Sequence, residues 1–151
     1  MEELILPDGV LKNMQEDEHF SDLKLGDIRE HWHWVKHGVE EVIKLNNASY
    51  KPEDVYARCI YGEANLFLNE GMFFITTITV DEFNMKKSYS LWVMWASVLH
   101  TKKQLDSYLK YFAKLAKEQG CSYLEGVSYK NLERYLKAKD WTVSTLYRKE
   151  L

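Results

Sequence analysis

The string HWHWVKH, at residues 31–37, carries residue types suited to metal or partner binding. His33 and His37 are four residues apart, so a helix would place both on one face, at a spacing that zinc sites use. No third ligand is indicated and HExxH is absent, so we expect no metal and a solvated histidine face. Tryptophan is enriched at interface anchors, which makes Trp34, with His33 and His37, a set of candidate partner-binding residues.

Other chemical signatures in the sequence are few. Cys59 and Cys121 stand far apart in apolar contexts, which predicts buried thiols and not a disulfide framework. The G-x-S-x-G, P-loop, CxxC and EF-hand patterns are absent. Aromatic residues are abundant, but they form neither an RNP-like motif nor an interleaving with basic residues, so nucleic-acid binding is not expected.

Composition and charge set the broad class. The chain has 151 residues, 46% hydrophobic and 28% charged, which is one domain's worth and too apolar for a disordered chain. It contains no run of ~18 apolar residues, and its acidic start, MEEL, lacks a signal-peptide pattern, so we expect neither a membrane span nor secretion. Residues 1–101 hold 9 Lys/Arg against 17 Asp/Glu, and residues 102–151 hold 11 against 6. The basic last third favours an anionic ligand or simply carries solvated lysines.

Hydrophobic spacing predicts the elements that position these residues. An amphipathic helix is expected over residues 27–45, after a capping pattern of Asp27 and Glu30. Pro52 opens a second helix that ends near Gly62. Alternating and β-branched segments then predict strands at 64–68, 72–80 and 88–98, with a further short strand at either 4–6 or 23–25.

The second half of the chain predicts an alternation of helices and strands. Thr101 and Gln104 form a capping-box pair at the start of the longest helix. We expect strands at 121–127 and 141–148, with a short helix between them, so that the long helix makes a parallel βαβ crossover. Trp92 and Trp95, three residues apart on the central strand, should face opposite sides of the sheet. We take residues 27–151 as a single domain and residues 1–26 as an N-terminal extension.

This order of elements, with SYKNLERYLKAKDWTVSTL near the C-terminus, resembles the GNAT family, the Gcn5-related N-acetyltransferases. The resemblance covers about residues 27–149. It implies an α+β fold with a GNAT-like mixed, mostly antiparallel sheet flanked by helices. In that family the long helix binds the acetyl-CoA pyrophosphate, and ligands sit in a V-shaped opening between the central strands.

The resemblance also defines a test for the cofactor. The family's pyrophosphate motif, at the start of the long helix, is Gln or Arg, two residues, Gly, one residue, then Gly or Ala. This sequence has LHTKKQLDSYLK there, and no glycine between Gly71 and Gly120. We therefore expect no cofactor; if the chain is an enzyme, acetyl-CoA is assigned to Thr101, Lys102, Lys103 and Gln104. The alternative is that Thr101 only caps the helix and the lysines face water.

The family often uses a tyrosine in the last short helix to protonate the leaving thiolate. With Trp141 aligned to the family's strand-leading aromatic residue, that place falls on Leu136. Tyr135 is one residue away and would point about 100° away around the helix. Tyr135 is the candidate catalytic residue, and the alternative is that it belongs to the core.

More narrowly, PEDVYARCIYGEANLFL and NLERYLKAKDW resemble segments of small GNAT-like proteins of tailed bacteriophages. The resemblance implies a phage-encoded protein, degenerate at the pyrophosphate motif and inactive as an ordinary acetyltransferase. It would act through protein–protein interaction in virion assembly, or as a minor virion component, in the host cytoplasm or the particle. Its partners would be other phage or host proteins, not a membrane or nucleic acid. The alternatives are a divergent acetyl-CoA-dependent N-acetyltransferase and a host-directed inhibitor protein.

Overall fold

The computed structural model describes residues 23–97, 102–127, 133–144 and 147–151. In these residues a five-stranded sheet has the strand order β1-β2-β3-β4-β5. The strands are β1 (Lys24–Gly26), β2 (Ala64–Asn69), β3 (Met72–Val80), β4 (Lys87–Ala96) and β5 (Tyr123–Gly126). The helices are α1 (Ile28–Asn46), α2 (Pro52–Ile60), α3 (Lys102–Glu118) and α4 (Glu133–Ala138).

The first four strands pair antiparallel in chain order, and β5 pairs parallel to β4. A parallel pair cannot be joined by a tight turn, and α3 supplies the long connection, as the βαβ pattern predicts. The α+β class and the mixed, mostly antiparallel sheet are thereby confirmed. None of the described helices has the length and apolar character needed to cross a bilayer.

Local sequence explains where α1 and α2 begin. The Asp27 side chain accepts a hydrogen bond from the backbone N–H of Arg29 at 2.9 Å, which satisfies one of the free donors of the first turn. Pro52 occupies the first turn of α2, and the Asp54 carboxylate accepts from the Lys51 backbone N–H at 2.8 Å. The helix at 27–45 and the helix opened by Pro52 are both confirmed.

The sheet buries a core on each face. On one face α1 and α2 cover the α1-side core, whose buried members are Ile28, Val35, Val39, Val42, Val55, Ala64, Leu66, Phe73, Ile75 and Val93. On the other face α3 covers the α3-side core, whose buried members are Leu23, Phe67, Met72, Phe74, Tyr89, Leu91, Tyr108, Tyr111, Phe112, Leu115 and Ala116. Successive residues of β3 point alternately into the two cores, as the two-residue period of a strand requires.

One predicted strand is wrong in the described residues, and another is found at one of its two predicted positions. The strand expected at 141–148 was wrong for its described residues, 141–144 and 147–148, which are neither helix nor strand. Alternation alone does not make a strand, because the backbone groups of a strand need a neighbouring strand. The Arg148 guanidinium of this segment donates to the carbonyl oxygen of Asn47 at 3.4 Å. At the N-terminus the strand occurs at Lys24–Gly26, while the alternative at 4–6 lies outside the described residues.

Candidate functional site

A β-bulge interrupts the middle of β4. Ile75 on β3 pairs with Val93, and the next residue, Thr76, pairs with Leu91, so Trp92 is an extra residue in β4. A bulge of this kind places two successive residues on one face of the sheet. Trp92 and Val93 accordingly both pack into the α1-side core.

The bulge overturns the prediction that Trp92 and Trp95 face opposite sides. Both tryptophans pack against the α1-side core. The prediction assumed that side chains alternate between the two faces along an unbroken strand. The extra residue at Trp92 shifts this alternation by one position, so Trp92 and Trp95 lie on the same face. The sequence contains no glycine or proline there that would have signalled the bulge.

The pairing of β4 with β5 ends next to the bulge. It runs from Ser88 opposite Tyr123 to Leu91 opposite Gly126. At that last pair the two backbones are close, because a Cβ on Gly126 would lie 3.2 Å from the carbonyl oxygen of Leu91. Within the described residues, Val93–Ala96 pair with β3 only and Trp92 is the unpaired bulge residue, and we call the stretch Trp92–Ala96 the open edge of β4.

An open edge is chemically useful because its outward backbone groups can bond to an extended ligand. It begins at the bulge, where the sequence resemblance expected an opening between the central strands. The open edge ends at Ala96, and five residues separate it from the start of α3 at Lys102. The candidate site therefore consists of this edge and the N-terminal turn of α3.

The N-terminal turn of α3 carries most of the residues assigned to acetyl-CoA. Lys103 is exposed, and Gln104 is half-buried and has an interaction partner. Thr101 and the side chain of Lys102 lie outside the described residues, so the predicted capping pair stays a prediction. The first turn of α3 contains no acidic residue, which leaves the positive end of the helix dipole unopposed there.

Tyr135 lies on α4 and is half-buried. Burial raises the pKa of Tyr135, and the charge of Asp106 and a hydrogen bond between the two side chains raise it further. The Asp106 carboxylate also lies 3.3 Å from the Lys110 ammonium and 4.0 Å from that of Lys139. The Tyr135 hydroxyl therefore belongs to a polar contact between α4 and α3, and Leu136 beside it is half-buried.

The proposed partner-binding residues on α1 have different environments. His33 is exposed, whereas Trp34 is half-buried. The Trp34 indole donates to Nδ1 of His31 at 3.3 Å and its ring packs edge-on against Phe73 at 5.8 Å. Of the three predicted partner-binding residues, His33 and His37 are exposed to solvent and Trp34 is not.

His37 takes part in a surface network that the sequence did not reveal. Its Nε2 lies 3.1 Å from Oε1 of Glu41, and the other carboxylate oxygen of Glu41 accepts from the Trp95 indole at 2.6 Å. The His37 ring also stands edge-on to Trp95 at 6.0 Å. The i,i+4 spacing of His37 and Glu41 is visible in the sequence, but Trp95 is 54 residues further on.

Trp92 has partners of its own from α2 and the loop before it. The Tyr50 ring lies 5.0 Å from the Trp92 ring, and the Arg58 guanidinium lies 5.2 Å from the ring centroid. Burial raises the pKa of Tyr50. These contacts hold the α1–α2 connection against the bulge, next to the open edge of β4.

Neither cysteine has the character of an activated nucleophile. Cys59 and Cys121 are free and half-buried, so the prediction of buried thiols was too strong, whereas the absence of a disulfide between them agrees with the prediction. Burial raises the pKa of Cys59 to about 11 and also raises that of Cys121, which keeps both thiols protonated at neutral pH. In the described part of the chain, no three His, Cys, Asp or Glu side chains are grouped to hold a metal ion.

Comparison with known proteins supports the fold. Neither a protein-family model nor a curated protein matches this sequence. A solved structure described as a probable acetyltransferase is 10% identical, with 85% of this chain and 95% of that chain covered and a TM-score of 0.60. The ribosomal-protein-alanine N-acetyltransferase of Brucella melitensis biovar Abortus 2308 is 12% identical, with coverages of 86% and 98% and a TM-score of 0.57.

An aminoglycoside N-acetyltransferase, AAC(6')-Iy, solved in complex with CoA, is 11% identical; the match covers 86% of this chain and 95% of that chain, with a TM-score of 0.56. At such identities a structural likeness establishes the fold, whereas activity depends on particular site residues. The element order up to α4 and the parallel β4–β5 pair are those that the GNAT resemblance predicted, and the likeness to these solved structures supports the same fold. The chain has the fold of the GNAT acetyltransferases.

Proposed function

We propose that this chain is a phage-encoded GNAT-fold protein that works by binding other proteins, in virion assembly or as a minor virion component, without ordinary acetyltransferase activity. The phage assignment rests on the resemblance of residues 52–68 and 131–141 to small proteins of tailed bacteriophages. The loss of activity rests on the connection between β4 and α3.

That connection is the observation that carries the proposal. Between Ala96 and Lys102 there are five residues, and none is glycine. A pyrophosphate cradle needs successive backbone N–H groups converging on the phosphate oxygens, which glycine permits because it has no Cβ. Lys103 offers a point charge at the helix end, but a point charge binds phosphate with less geometric specificity than a backbone cradle. The residues present do not fit the coenzyme's diphosphate well.

The environment of Tyr135 supports the same proposal. Its hydroxyl is engaged with Asp106 on α3, so an acid role would require that contact to break. Glu63, Glu70 and Glu125 are exposed carboxylates, and nothing in their surroundings marks one of them as a base for an amine.

A second candidate function is divergent acetyl transfer from acetyl-CoA, and the open edge of β4 favours it. A thioester coenzyme bound there would supply the acyl group. Backbone groups along Trp92–Ala96 would form hydrogen bonds with the amide groups of the coenzyme. The phosphates of the coenzyme would lie near Lys103 and the N-terminus of α3.

Isothermal titration calorimetry with acetyl-CoA separates the two candidates. We expect no saturable binding at micromolar coenzyme, because the diphosphate has no backbone cradle. Saturable micromolar binding that is lost in the Lys102→Glu plus Lys103→Glu variant would overturn the proposal in favour of the enzyme. The matched control is Lys117→Glu plus Lys149→Glu, which makes the same change of charge at exposed lysines away from the N-terminus of α3.

Mass spectrometry of purified phage particles tests whether the protein is packaged in the virion. A virion component should be present in a fixed ratio to the major structural proteins, through repeated purification. A host-directed inhibitor should be absent from particles and recovered with a cellular protein from infected cells, and that result would contradict packaging.

A further inference from the structure

The β3–β4 hairpin exposes a group of large apolar side chains at its end. Phe83 is 89% exposed and Met85 is 70% exposed, and both lie in the loop between the strands. Ile78 and Val80, at the end of β3, are also exposed. We call these four residues the hairpin tip. An exposed group of apolar side chains is a mark of an interaction surface, whereas single exposed apolar residues are common.

Hydrogen bonds fix the loop that presents the tip. The Asp81 carboxylate accepts from the backbone N–H of Phe83 at 2.8 Å and of Asn84 at 3.2 Å. The Asn84 side chain accepts from the backbone N–H of Lys86 at 2.9 Å. The backbone N–H of Asp81 donates to the Lys86 carbonyl at 2.9 Å, and that of Met85 to the Asp81 carbonyl at 2.8 Å. A loop ordered in advance loses little conformational entropy when it binds, which favours association.

The charges around the tip are arranged in a self-complementary order. Asp81 and Glu82 precede the two apolar side chains, and Lys86 and Lys87 follow them, all four being exposed. In a two-fold arrangement, residue i of one copy meets residue j of the other and j meets i. Two hairpin tips related by such an axis would place each acidic side against a basic side, with the apolar residues between them.

We propose that the hairpin tip binds the hairpin tip of a second copy of this chain, forming a two-fold symmetric dimer. Phe83 and Met85 of both copies supply the apolar centre, and Glu82 of each copy faces Lys86 of the other. Stable interfaces bury about 1,200–2,000 Å² in total, and a single hairpin end is small by that measure, so the dimer is reversible and depends on concentration.

Sedimentation velocity from micromolar to near-millimolar concentration tests the apolar centre. We expect the wild-type chain to shift from monomer to dimer, and the Phe83→Ser plus Met85→Ser variant to weaken the dimer by more than about tenfold. The matched control is Tyr147→Ser, which removes an aromatic side chain 90% exposed elsewhere, and it should dimerise like the wild type. A wild-type chain that stays monomeric throughout, or an undiminished dimer in the double variant, would overturn the proposal.

A charge exchange tests the two-fold arrangement itself. Glu82→Lys and Lys86→Glu should each weaken the dimer by about tenfold, because each makes two like-charged pairs. Combining both changes in one chain should restore the dimer, and mixing the two single variants should form a heterodimer. Absence of both recoveries would refute tip-to-tip contact. Thermal unfolding of each variant checks the fold, since the Lys86 ammonium also lies 5.8 Å from the Tyr123 ring centroid.

Discussion

A single glycine on α1 allows the aromatic cluster of the α1-side core to form. A Cβ on Gly38 would lie 2.5 Å from the Phe73 ring and 2.6 Å from the Trp95 ring. The two rings stack at 5.7 Å beneath the helix, and Trp95 reaches Glu41 beyond it. Glycine in a helix costs about 1 kcal/mol relative to alanine, and here the close packing offsets that cost.

Gly38→Ala should therefore destabilise the protein although it improves helix propensity. The overpacking cost is about 1–3 kcal/mol and the propensity gain is about 1 kcal/mol, so we expect a net loss of up to about 2 kcal/mol. Urea denaturation measures the free energy of unfolding. Glu40→Ala, on the exposed side of α1, should be within about 0.5 kcal/mol of the wild type. A more stable Gly38→Ala variant would show that the rings move aside at little cost.

Among the elements, α4 depends on polar contacts with α3. α4 has six residues, too few to be stable alone. Asp106 of α3 lies within 4.0 Å of Lys139, just after α4, and bonds the Tyr135 hydroxyl. Tyr135, the candidate catalytic residue one position from the place that the family resemblance assigns to Leu136, therefore makes a contact between α4 and α3.

A double-mutant cycle on Tyr135→Phe and Asp106→Ala tests this docking role. Each single change should cost about 0.5–1 kcal/mol, and the double change should cost less than their sum, because the two side chains share one contact. Hydrogen exchange at residues 133–138 should become faster in each variant. The control cycle pairs Asp106→Ala with Tyr147→Phe and should be additive. Additivity in the first cycle as well would contradict the contact.

At the scale of the whole molecule, one sheet joins two cores that share no buried residue among those that the structure describes. Phe73 and Phe74 are adjacent on β3 and equally buried, yet Phe73 faces the α1-side core and Phe74 the α3-side core. Because both cores depend on the same strands, the described part of the protein should unfold as one cooperative unit.

Phe73→Leu and Phe74→Leu form a matched pair for testing this cooperativity. Each should lower the free energy of unfolding by about 1–2 kcal/mol, because each leaves unfilled space in a well-packed core. Near-UV and far-UV circular dichroism should report one coincident transition for both variants. Two separated transitions in either variant would show that the cores unfold independently.

Local sequence predicted most of the elements, because the determinants of helices and strands are short-range. Asp27 and Pro52 mark the helix starts that the structure confirms, and the β-branched run at 72–80 matches β3. The strand expected at 141–148 did not form in the described residues, because pairing depends on a distant neighbour that the local pattern cannot supply. The roles assigned to Lys103, Tyr135 and the α1 histidines remain predictions.

By itself, the sequence determined the order of α1–α4 and β2–β5, the crossover topology and the absence of glycine before α3. Each follows from residue type and spacing along the chain. Only the tertiary structure decided the bulge at Trp92, the open edge of β4, the engagement of Tyr135 with Asp106 and the exposure of the hairpin tip. These depend on which distant segments come into contact, and sequence spacing does not encode those contacts directly.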